Sequence, residues 1–549
     1  MVSGAQAIAA ILEKEQIDHI FHLPGSQMID VLNAFFKSSI RNIMARHEQG
    51  ASFMAEGYAR VKKSPTICMS TAGPGATNLV SGIAASFKSA TPVIAFTGLH
   101  DSWLLEKDSF HEIDQVGLFK PITKWSYMVT DTEKIPEILY KAFRIALSGR
   151  PGPVHLAFPR DVVLKTADFK FSDSKAFRAV NASGCESEII DEVIVCLKEA
   201  KRPVFLAGND VVWSGATPEL VKLADLLSIP VTTTCDHLSA FPTIHPLGMG
   251  PIGRNRSDAA NLVLAKADLL IAIGAKFDYQ STRYNYDYIS RNSKIIQVSL
   301  DPEEIGRIYP TEIGLTADVK FVLNEILRKL QKNNSQFENE WSLEELGKIK
   351  DDWRQKRLVE VDFEAIPIKP QAIVKILREA LAPDAVIVVD GGNYAKHVRR
   401  HFDTYEPDTF YYTDNFGAVG SAFPMAMGVK LAAPQKQVLC LIGDGGFMFN
   451  DQEIETAVRE NINICTVVFN DHGFGNVRAY QTKKLGERYC CDFDNPDFGK
   501  LSRLFKAHGE QVTALKDLRG ALERGLNSGK PAVVDVIMSS EDLSTPGFL

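Results

Sequence analysis

The 549-residue sequence has no surplus of positive charge: 61 Lys and Arg stand against 68 Asp and Glu, a net charge of −7. Nucleic-acid backbones and anionic membrane surfaces recruit the opposite balance, so neither partner is expected. No uninterrupted apolar run comes near the roughly 18 to 20 residues that cross a bilayer. The opening MVSGAQAIAAILEKEQ lacks the basic stretch and cleavage site of a secretory leader, and a cytoplasmic protein is expected. Cysteine is scarce: Cys68, Cys185, Cys196, Cys235, Cys440, Cys465, Cys490 and Cys491 form no CxxC pair, which leaves reduced thiols rather than a disulfide or zinc scaffold. Glycine (38) and proline (26) are too few for a low-complexity or collagen-like chain. There is no GxxxxGKS/T phosphate loop, and the cluster starting at Gly443 fails GxGxxG because Met448 stands where the last glycine belongs.

What is present is an ordinary globular composition, 45% hydrophobic and 23% charged, at a length that fits about three to four domains. Short apolar runs alternate with helical patterns, as in parallel α/β sheets. The first block has runs at HIFHLPG, RNIMAR, TICMSTAGPG and TPVIAFTG; the second at RPVFLAG, IPVTTTC, ADLLIAIG and KIIQVSL; the third at AVIVVDGG, VLCLIGDGG, ICTVVFND and PAVVDVI. Periodicity lapses over 165–185, read as a linker, and a charged, helical and then proline-containing stretch over 333–370 separates the later blocks. The expected architecture is three parallel-sheet α/β domains, at 1–170, 185–335 and 365–549. The first and third could share an architecture, although no internal identity is visible.

The segment QVLCLIGDGGFMFNDQEIETAVRENINICTVVFNDHGFGN, residues 437–476, reads as a βαβ unit. Asn450 can cap a helix with Glu453 three residues on, and Ile454, Ala457 and Val458 supply its apolar stripe. A right-handed crossover brings Gly443-Asp444-Gly445 and Asn470-Asp471 to the same carboxyl edge, where α/β proteins bind ligands. Two carboxylates beside glycine-rich backbone suit a magnesium or calcium ion bridging to a diphosphate. Each motif by itself reads more readily as a tight turn, since Gly, Asn and Asp dominate turns.

GDGG followed by Asn470-Asp471 resembles the signature of thiamine-diphosphate enzymes. RHEQGASFMAEGYAR (46–60), STAGPGATN (70–78), FHEIDQVGLFKPITKW (110–125) and GPVHLAFPRDV (152–162) are similar to acetolactate synthase and its relatives, so the resemblance spans the chain. It implies thiamine diphosphate and Mg2+ as cofactors, with the metal held by Asp444, Asp471 and the Gly473 carbonyl. The family usually has Asn at 471, and Asn470 is a weaker candidate. Gly443, Gly445, Gly446, Phe474 and Gly475 complete the diphosphate loops. The resemblance places Asn393 and Tyr394 near the diphosphate, Asn78 near the thiazolium, and Gly417 and Val419 against the aminopyrimidine, with Val419 as a wedge smaller than the usual Met, Leu or Ile. Glu48 matches the carboxyl that hydrogen-bonds the aminopyrimidine and promotes loss of the thiazolium proton. At a helix start, an acid there also simply favours the macrodipole.

At the substrate end, His111, Ser26, Asn476 and Tyr480 replace the Gln, Gly, Met and nearby Trp of acetolactate synthases. Ser26 in LPGS resembles benzoylformate decarboxylase, but the histidine expected near STAG is replaced by Ser70. An imidazole can take up and release a proton near neutrality, so His111 could move protons, or be a solvated loop residue. KFDYQSTR (276–283) keeps Asp278 of the flavin segment of acetolactate synthases but has Gln280 in place of its second arginine, which counts against FAD. The implied function is carboligation: a 2-oxo acid loses carbon dioxide and the remaining unit adds to a carbonyl acceptor. The alternatives are a simple 2-oxo acid decarboxylase or carbon–carbon lyase, a catalytically silent regulatory homologue, and a non-thiamine nucleotide-binding protein. The family's site lies between the first domain of one subunit and the third of another, which implies a homodimer or homotetramer.

Overall fold

Runs such as Val93–Leu99, Leu269–Ile273 and Cys465–Asn470 are apolar without alternation, and all their residues are buried, as strands covered by helices on both faces require. The structure, a computed structural model, describes residues 1–178, 184–332, 337–413 and 416–541. Its main strands make three six-stranded sheets, parallel throughout.

Across the first sheet the neighbours run Arg41–Met44, His19–His22, Thr66–Ser70, Val93–Leu99, Val154–Pro159, Trp125–Met128. Across the third they run Phe410–Tyr412, Val386–Val389, Val438–Gly443, Cys465–Asn470, Ala532–Ile537, His508–Val512. Numbered along the chain, both sheets have the order 2-1-3-4-6-5, so the first and third domains do share an architecture. The central sheet, Gly248–Pro251, Val231–Thr233, Pro203–Ala207, Leu269–Ile273, Lys294–Ser299, Ile313–Thr316, has the doubly wound order 3-2-1-4-5-6.

The first and third domains also share a core, in which Phe21, Ile43, Met54 and Tyr58 cluster with Val388, Met425, Ile442 and Phe447. Helices Glu48–Lys62 and Ala422–Ala432 cross there. They meet at Gly57, where a Cβ would strike the Met425 carbonyl, and at Gly428, where one would strike that of Met54. Close backbone approach is the physical need for glycine at both places.

Ile8, Ile11 and Leu12 are buried as their spacing predicts, on helix Gly4–Lys14 behind a capping box of Ser3 and Gln6. The stretch read as a linker from 165 begins with structure: Thr166–Ala167 pairs antiparallel with Val2–Ser3. Residues 179–183 of it lie outside the described residues. Within 333–370, helix Leu343–Val359 is preceded by Trp341, and that tryptophan joins Leu346, Ile349 and Trp353 in the central core.

Candidate cofactor site

In the third sheet the chain turns outward after Val386–Val389 and the other way after Val438–Gly443, although these strands are hydrogen-bonded neighbours. Such a reversal opens a crevice at the carboxyl ends. A cavity of about 210 Å³ lies there, lined by Asn393, Tyr394, Gly417, Val419, Gly443, Asp444, Gly445, Gly446, Asp471, Gly473, Phe474, Gly475 and Asn476. Every third-domain residue expected at the cofactor therefore faces one space. Tyr480, on the same helix as Asn476 (Gly475–Lys484), is not part of that lining.

Asp444 is buried and ties the two loops together, its Oδ2 accepting hydrogen bonds from the Gly473 N–H (3.0 Å) and Asn495 Nδ2 (2.7 Å). Asn470 turns away from the cavity: its Nδ2 donates to Asp535 (3.0 Å) and its Oδ1 accepts from Asn495 (3.0 Å). Asp471 Oδ2 is paired with Arg478 Nη1 at 2.9 Å. Burial, and then the neighbouring Asp444 carboxylate, push the Asp471 carboxyl up, while Arg478 pulls it down. Two carboxylates and a peptide carbonyl are hard oxygen donors, a set that fits Mg2+.

Asp390, which the sequence reading passed over, ends the strand Val386–Val389. It accepts hydrogen bonds from the Gly420 N–H (2.8 Å), Ser421 Oγ (3.1 Å) and Thr413 Oγ1 (3.2 Å), and burial raises its carboxyl to about 6. It fixes the turn that carries Val419, in which Gly417 (φ +73°) and Gly420 (φ +81°) hold left-handed conformations. Tyr394 turns its hydroxyl inward to the carbonyls of Asp390 (3.0 Å) and Leu441 (2.9 Å) and stacks its ring on Phe469. It is a wall of the cavity rather than a free hydroxyl. Lys396, two residues further along helix Asn393–His401, reaches Asn476 Oδ1 at 2.8 Å.

The helix expected to start at Asn450 begins instead at Glu453, with Gln452 as its N-cap. Asn450 Nδ2 donates to the Gly420 carbonyl (2.9 Å), bracing the same turn. Glu453 crosses to the first domain, where its carboxylate accepts the backbone N–H groups of Arg46 (3.1 Å) and His47 (3.0 Å) as well as Thr456 Oγ1 (2.6 Å).

In the first domain the reversal falls between His19–His22 and Thr66–Ser70. Gly25 packs against Thr71, and Gln27 Oε1 accepts from both Ser26 Oγ (3.0 Å) and Thr71 Oγ1. Glu48 is the first residue of its helix and is buried, with Oε2 accepting from Asn78 Nδ2 at 2.9 Å. His111 has φ +66°, and its backbone lies against Gly73. Its Nδ1 is buried without a hydrogen-bond partner among the described residues. Ser26, Glu48, Asn78 and His111 are thus brought together around the 71–75 loop. None of them lines the 210 Å³ cavity, whose walls come only from residue 391 onward.

Gly208 packs on Ala275 and Gly274 on Asp210, and the adjoining space by Asn209, Asp236, Lys276 and Asp278 is a cavity of about 20 Å³. Asp278 caps the short helix Tyr279–Thr282, accepting the Ser281 N–H at 2.8 Å. Cys235, Asp236 and Asp278 converge, with Arg399 supplying the positive charge at 3.4 Å from Asp236. No helix among the described residues is long and apolar enough to cross a membrane.

Comparison with known proteins agrees with this geometry. Residues 2–118 match the N-terminal TPP binding domain of thiamine pyrophosphate enzymes, 190–326 the central domain and 390–536 the C-terminal TPP binding domain. The chain is 34% identical to a probable acetolactate synthase large subunit of Methanococcus aeolicus, over 97% of this chain and 92% of that protein. It is 35% identical to one of Methanocaldococcus jannaschii (98% and 92%) and 31% identical to the acetolactate synthase isozyme 2 large subunit of Escherichia coli (97% and 95%). Three domain matches in order and full-length relatives place it without ambiguity: the chain belongs to the thiamine pyrophosphate enzyme family, in company with the acetolactate synthase large subunits.

Proposed function

We propose that the protein is a carboligase that decarboxylates a 2-oxo acid and transfers the remaining unit to a carbonyl acceptor, using thiamine diphosphate and Mg2+. The observation that carries this is the convergence of Asp444, Asp471, Gly473 and the Gly417–Gly420 turn on one cavity at a sheet reversal. When bound, thiamine diphosphate supplies the electron sink that lets carbon dioxide leave. Asp444, Asp471 and the Gly473 carbonyl would hold the metal, and the N–H groups of the glycine loops would be available to the diphosphate. Glu48 would hold the proton exchanged with the aminopyrimidine ring nitrogen, with Asn78 Nδ2 orienting its carboxyl. Ser26, His111 and Asn476 surround the substrate.

Asp444 lines the cavity and Glu48 of the same chain does not, and the surroundings of both expose apolar side chains. These are Trp103 (63%), Phe110 (73%) and Ile113 (39%) on the first domain, and Val419, Phe449, Phe474 and Val477, at 38–50%, on the third. Clusters of this kind mark contact surfaces. A second copy that brings its first domain over this cavity completes the site, and two-fold closure gives two such sites per dimer.

The unpartnered Nδ1 of His111 favours a second reading, simple decarboxylation ended by proton delivery. Incubation with thiamine diphosphate, Mg2+ and a panel of 2-oxo acids, following carbon dioxide and products, decides between them. Ligated product supports the first reading and free aldehyde alone the second; release of neither with any acid refutes both.

A further inference from the structure

Arg478 has no solvent-exposed surface. A guanidinium buried this way costs several kcal/mol unless its donors and charge are matched, and here both are. Nη1 donates to Asp471 Oδ2 (2.9 Å), Nη2 to the carbonyls of Asp471 (3.1 Å) and His472 (3.1 Å), and Nε to Asp492 Oδ1 (2.7 Å). The side chain comes back from helix Gly475–Lys484 and wraps the loop that precedes it. A Cβ at Gly473 would collide with Nη2, so the glycine and the arginine fit one another.

The consequence is a sorting of oxygens. Arg478 takes the carbonyls of residues 471 and 472 and one oxygen of the Asp471 carboxylate. Asp471 and Gly473 both line the cavity; the Gly473 carbonyl is outside the set that Arg478 takes and accepts the Gly475 N–H at 3.1 Å, and the Gly473 N–H is held to Asp444 at 3.0 Å. The charge is sorted as well. Asp444, Asp471 and a diphosphate around one divalent cation would leave an excess of negative charge in a buried space, and Arg478 offsets the part that Asp471 adds.

We propose that Arg478 is a positioning residue for the metal loop: it makes Asp471 a one-oxygen ligand of nearly neutral effect, equivalent to an amide, and orients the Gly473 carbonyl. This rests on the assignment of Asp444 and Asp471 to the metal. The two residues are then interdependent. Arg478→Gln leaves an uncompensated carboxylate facing the diphosphate, while Asp471→Asn leaves the guanidinium with Asp492 as its sole carboxylate partner.

The test is calorimetric titration of the full chain with thiamine diphosphate at saturating Mg2+, without turnover. Arg478→Gln should weaken binding by about tenfold or more, a loss of roughly 1.4 kcal/mol for each factor of ten. Asp471→Asn alone should weaken it a few-fold, and Asp471→Asn with Arg478→Gln should recover to within about threefold of wild type, a coupling that independent sites lack. Should Arg478→Gln fail to fold, Arg478→Met with and without Asp471→Asn asks the same question, and rescue of folding by Asp471→Asn is itself the expected coupling. Additive losses, a double variant no better than Arg478→Gln, or unfolding of both Arg478 variants regardless of residue 471 would overturn the proposal. Asp444→Ala separates the two levels: if it leaves Mg2+-dependent binding intact, the metal assignment itself is wrong; if it abolishes it while the double variant shows no rescue, only the role of Arg478 fails.

Discussion

The backbone N–H of His47 donates to the buried carboxylate of Glu453 at 3.0 Å, joining the residue just before Glu48 to the helix just after the GDGG loop. The two halves of the chain's chemistry are thereby fastened back to back. The contact holds the start of the Glu48 helix on the third domain, while Glu48 itself is not among the residues that line the cavity containing Asp444. Gly50 is part of the same contact, since a Cβ there would strike the Glu453 carboxylate.

Burial raises the Glu453 carboxyl from its ordinary 4.5 to about 7. The folded chain therefore holds a proton that the unfolded chain releases between about pH 4.5 and 7, so this group makes stability fall as pH rises through that window and level off above it. Glu453→Gln should flatten that part of the stability profile, read as the denaturant midpoint against pH. An unchanged slope would show that Glu453 titrates normally.

Asp444→Ala should abolish Mg2+-dependent binding of thiamine diphosphate, because the diphosphate loses its counter-ion and the Gly473 N–H loses its acceptor. Undiminished affinity by calorimetry contradicts the metal site.

Glu48→Gln should leave cofactor affinity within a few-fold of wild type, yet slow exchange of the thiazolium proton by roughly two to four orders of magnitude, the usual worth of a positioned acid–base group. The measurement is NMR of the cofactor after acid quench. Exchange at the wild-type rate removes Glu48 from proton transfer.

His111→Gln should change the ratio of ligated product to free aldehyde, and its pH dependence, more than it changes cofactor affinity. Glutamine keeps hydrogen-bonding capacity but takes up no proton near neutrality. Unchanged partition across the substrate panel would make His111 a structural loop residue.

The central strands were legible because burial on both faces writes an unbroken apolar run, as at Val93–Leu99 or Val438–Gly443. Edge strands such as Gly248–Pro251 and His508–Val512 were not, since a strand paired on one side can be as polar as HGEQV. The loops at the sheet reversals were legible from glycine, aspartate and asparagine at strand ends, and adjacency of those strands brings Gly25 against Thr71 and puts Asn393 and Asp444 on one cavity. Asp390 had a signal in VVDGGN that resembled only another turn. Glu453 was legible only as a capping partner of Asn450, and Asn495 not at all, because each acts across a fold contact on a residue remote in sequence; Arg478 acts on residues only six and seven positions back, but no motif marks that spacing. Asn450 shows the converse: its capping pattern was present, but the Gly420 carbonyl claims its amide.

The claim that a working site takes Glu48 from one chain and Asp444 from another is tested most directly by co-expressing Glu48→Gln and Asp444→Ala chains under different tags and purifying the mixed dimer. Each parent alone should be inactive. The mixed dimer should regain about half the wild-type turnover, since one of its two symmetry-related sites receives an intact Glu48 and an intact Asp444. Turnover no higher than either parent would contradict shared sites and place both residues of each site within a single chain.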